Sequence, residues 1–177
     1  PVVATAAIGE LGLPPAFVAA SGVERLMPVQ QLAVDAGLLS GRHLLVVSAT
    51  ASGKTFIGEM AGLQNLVEGK GRMLFLVPLV ALANQKYQRF RDRYGKLFPA
   101  SLLTGRNRLN LPENRAAGPR NPDASIVVGT YEGVDHQIRS GRRLPHLGTV
   151  IIDEVQMLED LINKGVEGIG LAPLDAA

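Results

Sequence analysis

The chain has no cysteine among its 177 residues, which excludes disulfides, thiolate metal sites and a cysteine nucleophile. Histidine is almost as scarce. His43, His136 and His146 stand far apart, without the spacing of metal ligands. No stretch approaches the ~18 uninterrupted apolar residues of a membrane span, so no membrane partner is expected. The first residues, P-V-V-A-T-A-A-I-G, carry no basic leader and no initiator methionine. They read as no signal peptide, and as the start of a processed chain or of a piece cut from a longer one. A cytoplasmic, intracellular setting is expected.

Net charge is also small, at +2, but unevenly laid out. Residues 1–69 carry a net −2, residues 70–147 a net +9 and residues 148–177 a net −5. The arginine-rich middle suits a phosphate backbone as partner. A solvated surface whose charges balance in three dimensions fits the same numbers.

What is present is a globular interior, with 46% hydrophobic and 19% charged residues. Strand-like runs at 43–48, 72–77, roughly 100–103, 125–129 and 148–152 alternate with helix-like segments. The helices are read at 28–39, 54–68, 79–94, 131–140 and after 156. Runs such as M-L-F-L-V and T-V-I-I are nearly continuous, as strands covered on both faces are. The alternation predicts an α/β domain: a mostly parallel sheet with helices on both faces. Residues 104–124 read as a long polar loop with several breakers, a length that is uncommon unless functional. The tail 165–177 is Gly- and Ala-rich and ends without a clear element.

Residues 48–55 read S-A-T-A-S-G-K-T, directly after H-L-L-V-V and directly before a helix-like segment. A Gly-rich loop between a strand and a helix N-terminus cradles phosphate, because backbone N–H groups and the helix dipole converge there. Thr50, Ala51, Ser52 and Gly53 would form the cradle, with Gly53 letting the backbone approach the phosphates. Lys54 would reach the β/γ phosphates, and Thr55 would place its hydroxyl on Mg2+. Asp153 follows Val150-Ile151-Ile152 at an apolar strand end, where coordination of Mg2+ would offset the cost of a carboxylate. Glu154 is then placed as general base for the attacking water. Both motifs fall at the carboxyl ends of strands, where α/β sheets bind ligands. Gln30, in L-M-P-V-Q-Q-L-A-V, offers one amide donor and one acceptor, a match to the N6/N7 edge of adenine and hence to ATP.

The order of these motifs resembles the first RecA-like domain of a superfamily 2 DExD/H-box helicase. The phrases P-V-Q-Q-L-A-V, A-T-A-S-G-K-T, P-L-V-A-L-A-N-Q and D-E-V-Q-M-L are similar to the superkiller-like branch, which includes archaeal DNA-repair helicases. The resemblance covers about residues 22–158. It implies that Gln30 reads adenine, that Lys54 and Thr55 belong to motif I, and that Asp153 and Glu154 belong to motif II. Pro78 to Gln85 matches the motif Ia that tracks a nucleic-acid strand, with Pro78, Leu79 and Lys86 as contacts. Thr104, Gly105, Thr130 and Glu132 resemble later motifs that touch phosphates. Residues 1–25 are then a lead-in and residues 26–177 the RecA-like P-loop domain. ATP and Mg2+ are the implied cofactors. Single-stranded or partly duplex nucleic acid and a second RecA-like domain of the same parent chain are the implied partners.

The chain departs from the family pattern at Val80, where motif Ia often has a basic residue, and at Gln156, which ends motif II in place of His or Asp. Glutamine there is familiar from superfamily 1 helicases. Ser48 also opens the phosphate loop where Gly or Ala is usual. A P-loop ATPase acting on a non-nucleic-acid partner and a degenerate nucleotide-binding module are therefore alternatives. Tyr87, Phe90 and Tyr94, at helical spacing, read as packing residues rather than a base-stacking platform.

Overall fold

A computed structural model describes residues 2–49, 52–104, 124–142 and 146–157. Two short N-terminal helical pieces, a single turn at Ile8–Glu10 and α1 at Pro15–Ser21, precede α2 at Pro28–Asp35 and a further turn at Leu38–Ser40. Then follow α3 (Lys54–Val67), β1 (Arg72–Val77), α4 (Val80–Tyr94), β2 (Ala100–Leu103), β3 (Ile126–Thr130), α5 (Tyr131–Arg139) and β4 (Leu147–Ile152). The four strands form one sheet in the order β2-β3-β1-β4, with every pair parallel. Parallel neighbours need crossovers; α4 supplies the one from β1 to β2 and α5 the one from β3 to β4, while most of the connection from β2 to β3 lies outside the described residues.

Side-chain alternation along β1 sets the two faces. Met73, Phe75 and Val77 point into the main core, against α3 and α4, together with Ile126 and Val128 of β3. Gly129 has the opposite parity, and a Cβ there would lie 3.2 Å from Val134 of α5. Helix α5 therefore covers the other face, and the expected two-sided layering holds. Near the start of the β1–β4 ladder, Gly71 and Gly148 are pressed together, and a Cβ on Gly71 would lie 2.5 Å from the backbone nitrogen of Gly148. The pairing shifts register there.

The lead-in is packed into this same core. Ile8, Leu13 and Phe17 are buried, and Phe17 stacks 5.8 Å from Phe56 of α3 and lies 5.6 Å from Tyr94 of α4. Tyr87, Phe90 and Tyr94 are all buried, which makes them packing residues as their spacing suggested.

One expected strand is absent. Residues 43–48 pair with no strand among the described residues. Leu44 and Val46 rest half-buried on the core, while Leu45 and Val47 are 77% and 85% exposed. The period-two alternation is thus kept without a ladder. Apolar contact alone turns alternate side chains inward, but a strand needs a neighbour's N–H and C=O groups. The helix read at 28–39 also stops earlier, at Asp35, because Gly37 takes the left-handed conformation at φ 99°. Most of the polar loop at 104–124 and nearly all of the segment after 156 lie outside the described residues.

Candidate nucleotide site

Helix α3 starts at Lys54, and its N-cap, Gly53, sits at φ 83°. A Cβ at Gly53 would meet Gln30 Nε2 at 2.5 Å and Met27 Sδ at 2.7 Å, and the left-handed backbone there favours glycine, where α2 presses on the loop. The Gln30 amide is engaged on both sides. Its Oε1 accepts from the Met27 N–H at 2.8 Å, and its Nε2 donates to the Gly53 carbonyl at 3.0 Å. Gln30 is buried, so the residue assigned to adenine ties α2 to the phosphate loop. Lys54 folds onto its own loop, donating to the carbonyls of Ser48 at 2.6 Å and Ala49 at 3.1 Å. The Ser48 and Ser52 hydroxyls meet in a hydrogen bond. Thr50 and Ala51 lie outside the described residues.

Asp153 leaves the end of β4, and its N–H still donates to the Leu76 carbonyl of β1 at 2.9 Å. Glu154 follows at φ 55°, a left-handed conformation that a non-glycine residue adopts only under constraint. Side chains from outside and within the turn tie it down. The Tyr131 hydroxyl donates to the Asp153 carbonyl, and the Gln156 amide donates to the Glu154 carboxylate. Burial, then the charges of Asp153 and Glu154, push the Tyr131 phenol above its ordinary pKa. Gln156, the unusual last residue of motif II, thus orients the carboxylate read as the general base.

The two halves of the site meet at Lys86. Its Nζ donates to Thr55 Oγ1 at 2.9 Å and lies 3.8 Å from Asp153 Oδ2. The chain thereby brings the motif I hydroxyl and the motif II carboxylate onto one side-chain nitrogen. Mg2+ prefers a few hard oxygen donors, with water and substrate phosphates completing its shell. Thr55 and Asp153 supply such oxygens, so the donor set fits the ion. Bound there, Mg2+ would neutralise charge developing on the transferred phosphoryl group.

The residues assigned to nucleic acid divide. Pro78 is half-buried, while Leu79 and Glu132 are exposed. Thr130 is buried, and its hydroxyl caps α5 by accepting from the Gly133 N–H at 3.0 Å. Thr104 is buried, and Gly105 lies outside the described residues. Lys86 turns inward to Thr55 and Asp153. Sequence reasoning missed that inward turn, and also a buried cluster behind it. Glu59 of α3 is wholly buried, 2.5 Å from Arg89 Nε and 2.6 Å from the Tyr94 hydroxyl. The available signal was the spacing of Lys86, Arg89 and Arg93, which places three cations on one side of α4.

A family model for the DEAD/DEAH box helicases matches residues 27–169. The chain belongs to the DEAD/DEAH box helicase family. This DEAD/DEAH box domain is 49% identical over 168 residues to a probable ATP-dependent helicase of Methanocaldococcus jannaschii, a match covering 93% of the chain and 20% of that protein. It is 38% identical over 164 residues to the ATP-dependent DNA helicase Hel308 of Methanocella arvoryzae, covering 89% of the chain and 21% of that protein. The chain therefore spans about a fifth of the curated relatives it matches. A solved structure titled as a hypothetical ATP-dependent RNA helicase of Sulfolobus tokodaii superposes with a TM-score of 0.66 at 22% identity, over 89% of this chain and 46% of that one. That likeness supports the fold of the DEAD/DEAH box domain.

Proposed function

We propose that the chain is the ATP-binding first RecA-like domain of a longer nucleic-acid motor, residues 26–177 forming that domain with the lead-in packed on it. The observation that carries this reading is the meeting of Thr55 and Asp153 at the carboxyl end of the sheet, with Glu154 beside them. In this reading Lys54 and the loop backbone hold the phosphates, Thr55 and Asp153 hold Mg2+, and Glu154 takes the proton of the attacking water. Adenine contact by Gln30 would use the second N–H and the second lone pair of its amide, the first of each being engaged with Gly53 and Met27, which links the base to the loop. A second RecA-like domain supplies the arginine that completes the site, and closure of the two domains on a strand drives movement.

DNA is favoured as the strand, because the 38% identical relative is named a DNA helicase and the RNA helicase likeness is at 22% identity. The setting is intracellular in this proposal. The test is ATP hydrolysis by the full-length protein with single-stranded DNA, duplex DNA and RNA as separate activators. Salt-sensitive stimulation by single-stranded DNA is expected. Stimulation by RNA alone would overturn the DNA assignment. No stimulation by any nucleic acid would favour an ATPase that acts on another kind of partner.

A further inference from the structure

Lys86 is not placed like a surface lysine waiting for a phosphate backbone. Its side chain is 18% exposed, its ammonium lies 5.8 Å from the centre of the Phe75 ring, and its partners are Thr55 Oγ1 and Asp153 Oδ2. The helix that carries it is fixed from behind. Arg89, one turn on, pairs with the buried Glu59 of α3, and Arg93, a further turn on, donates to the Ser21 carbonyl of α1 at 3.1 Å. The ammonium is thus held in position by the packing of α4 against α3 and α1.

We propose, resting on the reading of Thr55 and Asp153 as the Mg2+ ligands, that Lys86 is a built-in counter-cation that Mg2+ must displace when nucleotide binds. An ammonium and Mg2+ cannot share these two oxygens. Mg2+ binds oxygen at about 2.0–2.1 Å, and a cation already hydrogen-bonded to the same hydroxyl and paired with the same carboxylate repels it. Lys86 therefore holds motif I and motif II together through charge until the metal does so. It also sets the Mg2+ concentration at which nucleotide is captured. Because Lys86 lies on α4, the helix of the strand-tracking motif Ia, its release ties the state of the nucleotide site to that helix. Lys86 is a positioning residue in this account, acting through the metal ligands.

The test is a Mg2+ titration of fluorescent ATP-analogue binding to the full-length protein, for wild type, Lys86→Met and Lys86→Arg, with the melting temperature of each followed in parallel. Lys86→Met is expected to lower the half-saturating Mg2+ concentration about tenfold, the scale of one charge-assisted hydrogen bond. Lys86→Arg, which keeps the charge, is expected to stay near wild type. Without nucleotide or metal, Lys86→Met is expected to melt at a lower temperature, and added Mg2+ to narrow the gap. An unchanged Mg2+ dependence in Lys86→Met would overturn the proposal. So would weaker analogue binding at saturating Mg2+, which would make Lys86 a phosphate ligand. Loss of single-stranded DNA affinity with an unaltered Mg2+ curve would return it to the strand. Failure of the wild type to bind the analogue at all would instead overturn the ATP-site reading itself.

Discussion

The Tyr131 hydroxyl donates to the main-chain carbonyl of Asp153, and the Glu154 carbonyl lies 3.3 Å from the same oxygen. Tyr131 opens α5 directly after Thr130, so the start of that helix is joined to the acidic pair of the proposed nucleotide site. Removing the hydroxyl leaves the left-handed turn at Glu154 held by fewer contacts. Tyr131→Phe should lower kcat for ATP hydrolysis about tenfold through misplacement of Glu154, with nucleotide affinity nearly unchanged. Parallel measurement of kcat and of nucleotide Kd in the full-length protein checks this.

The same phenol gives a pH dependence. Its pKa in the folded chain lies above the ordinary value of about 10 because of burial and then Asp153 and Glu154. A raised pKa means that its contribution to stability is whole below pH ~10 and is lost as pH rises through the folded value. The stability difference between wild type and Tyr131→Phe should therefore shrink in strongly alkaline solution. Denaturant midpoints of both proteins at neutral and alkaline pH measure it, and a difference that grows with pH would contradict the assignment.

Glu59 is wholly buried and shared by Arg89 and Tyr94, and Arg89 itself is 31% exposed. Removing Arg89 leaves a buried carboxylate without its cation, whereas removing the Tyr94 hydroxyl leaves one oxygen without a donor. Arg89→Met should cost about 3 kcal/mol and Tyr94→Phe about 1–2 kcal/mol. Urea unfolding of the domain decides the order, and equal effects would contradict it.

Phe17 tests whether the lead-in belongs to the folded unit. It is buried between Phe56 and Tyr94, so truncation opens a cavity that the rings around it cannot fill. Phe17→Ala should destabilise by about 3–5 kcal/mol. A cost under about 1 kcal/mol would mean that residues 2–25 are dispensable for the core.

Strands β1, β2, β3 and β4, helices α3 and α4, and the nearness of Thr55 to Asp153 at the carboxyl end of the sheet were legible in sequence. The reason is that apolar runs, strand ends and the G-K-T segment are local signals. Residues 43–48 carry the same local signal, but a ladder depends on a neighbour that local pattern cannot supply. Gln30 and Lys86 show the other limit. Their residue types state what they can bond to, while packing of α2 and α4 against α3 decides that the partners are Gly53, Thr55 and Asp153. Phe17 was invisible for the same reason, being an isolated aromatic in a short, weakly patterned helix.

In the proposed function Glu154 and its neighbours hydrolyse ATP at this site. The most direct measurement is ATP turnover by the full-length protein with single-stranded DNA, comparing wild type with Glu154→Gln alongside nucleotide binding by both. Retained binding with turnover lowered by about 10²–10⁴-fold is predicted, the range for losing a general base. Turnover by Glu154→Gln at the wild-type rate would contradict the account.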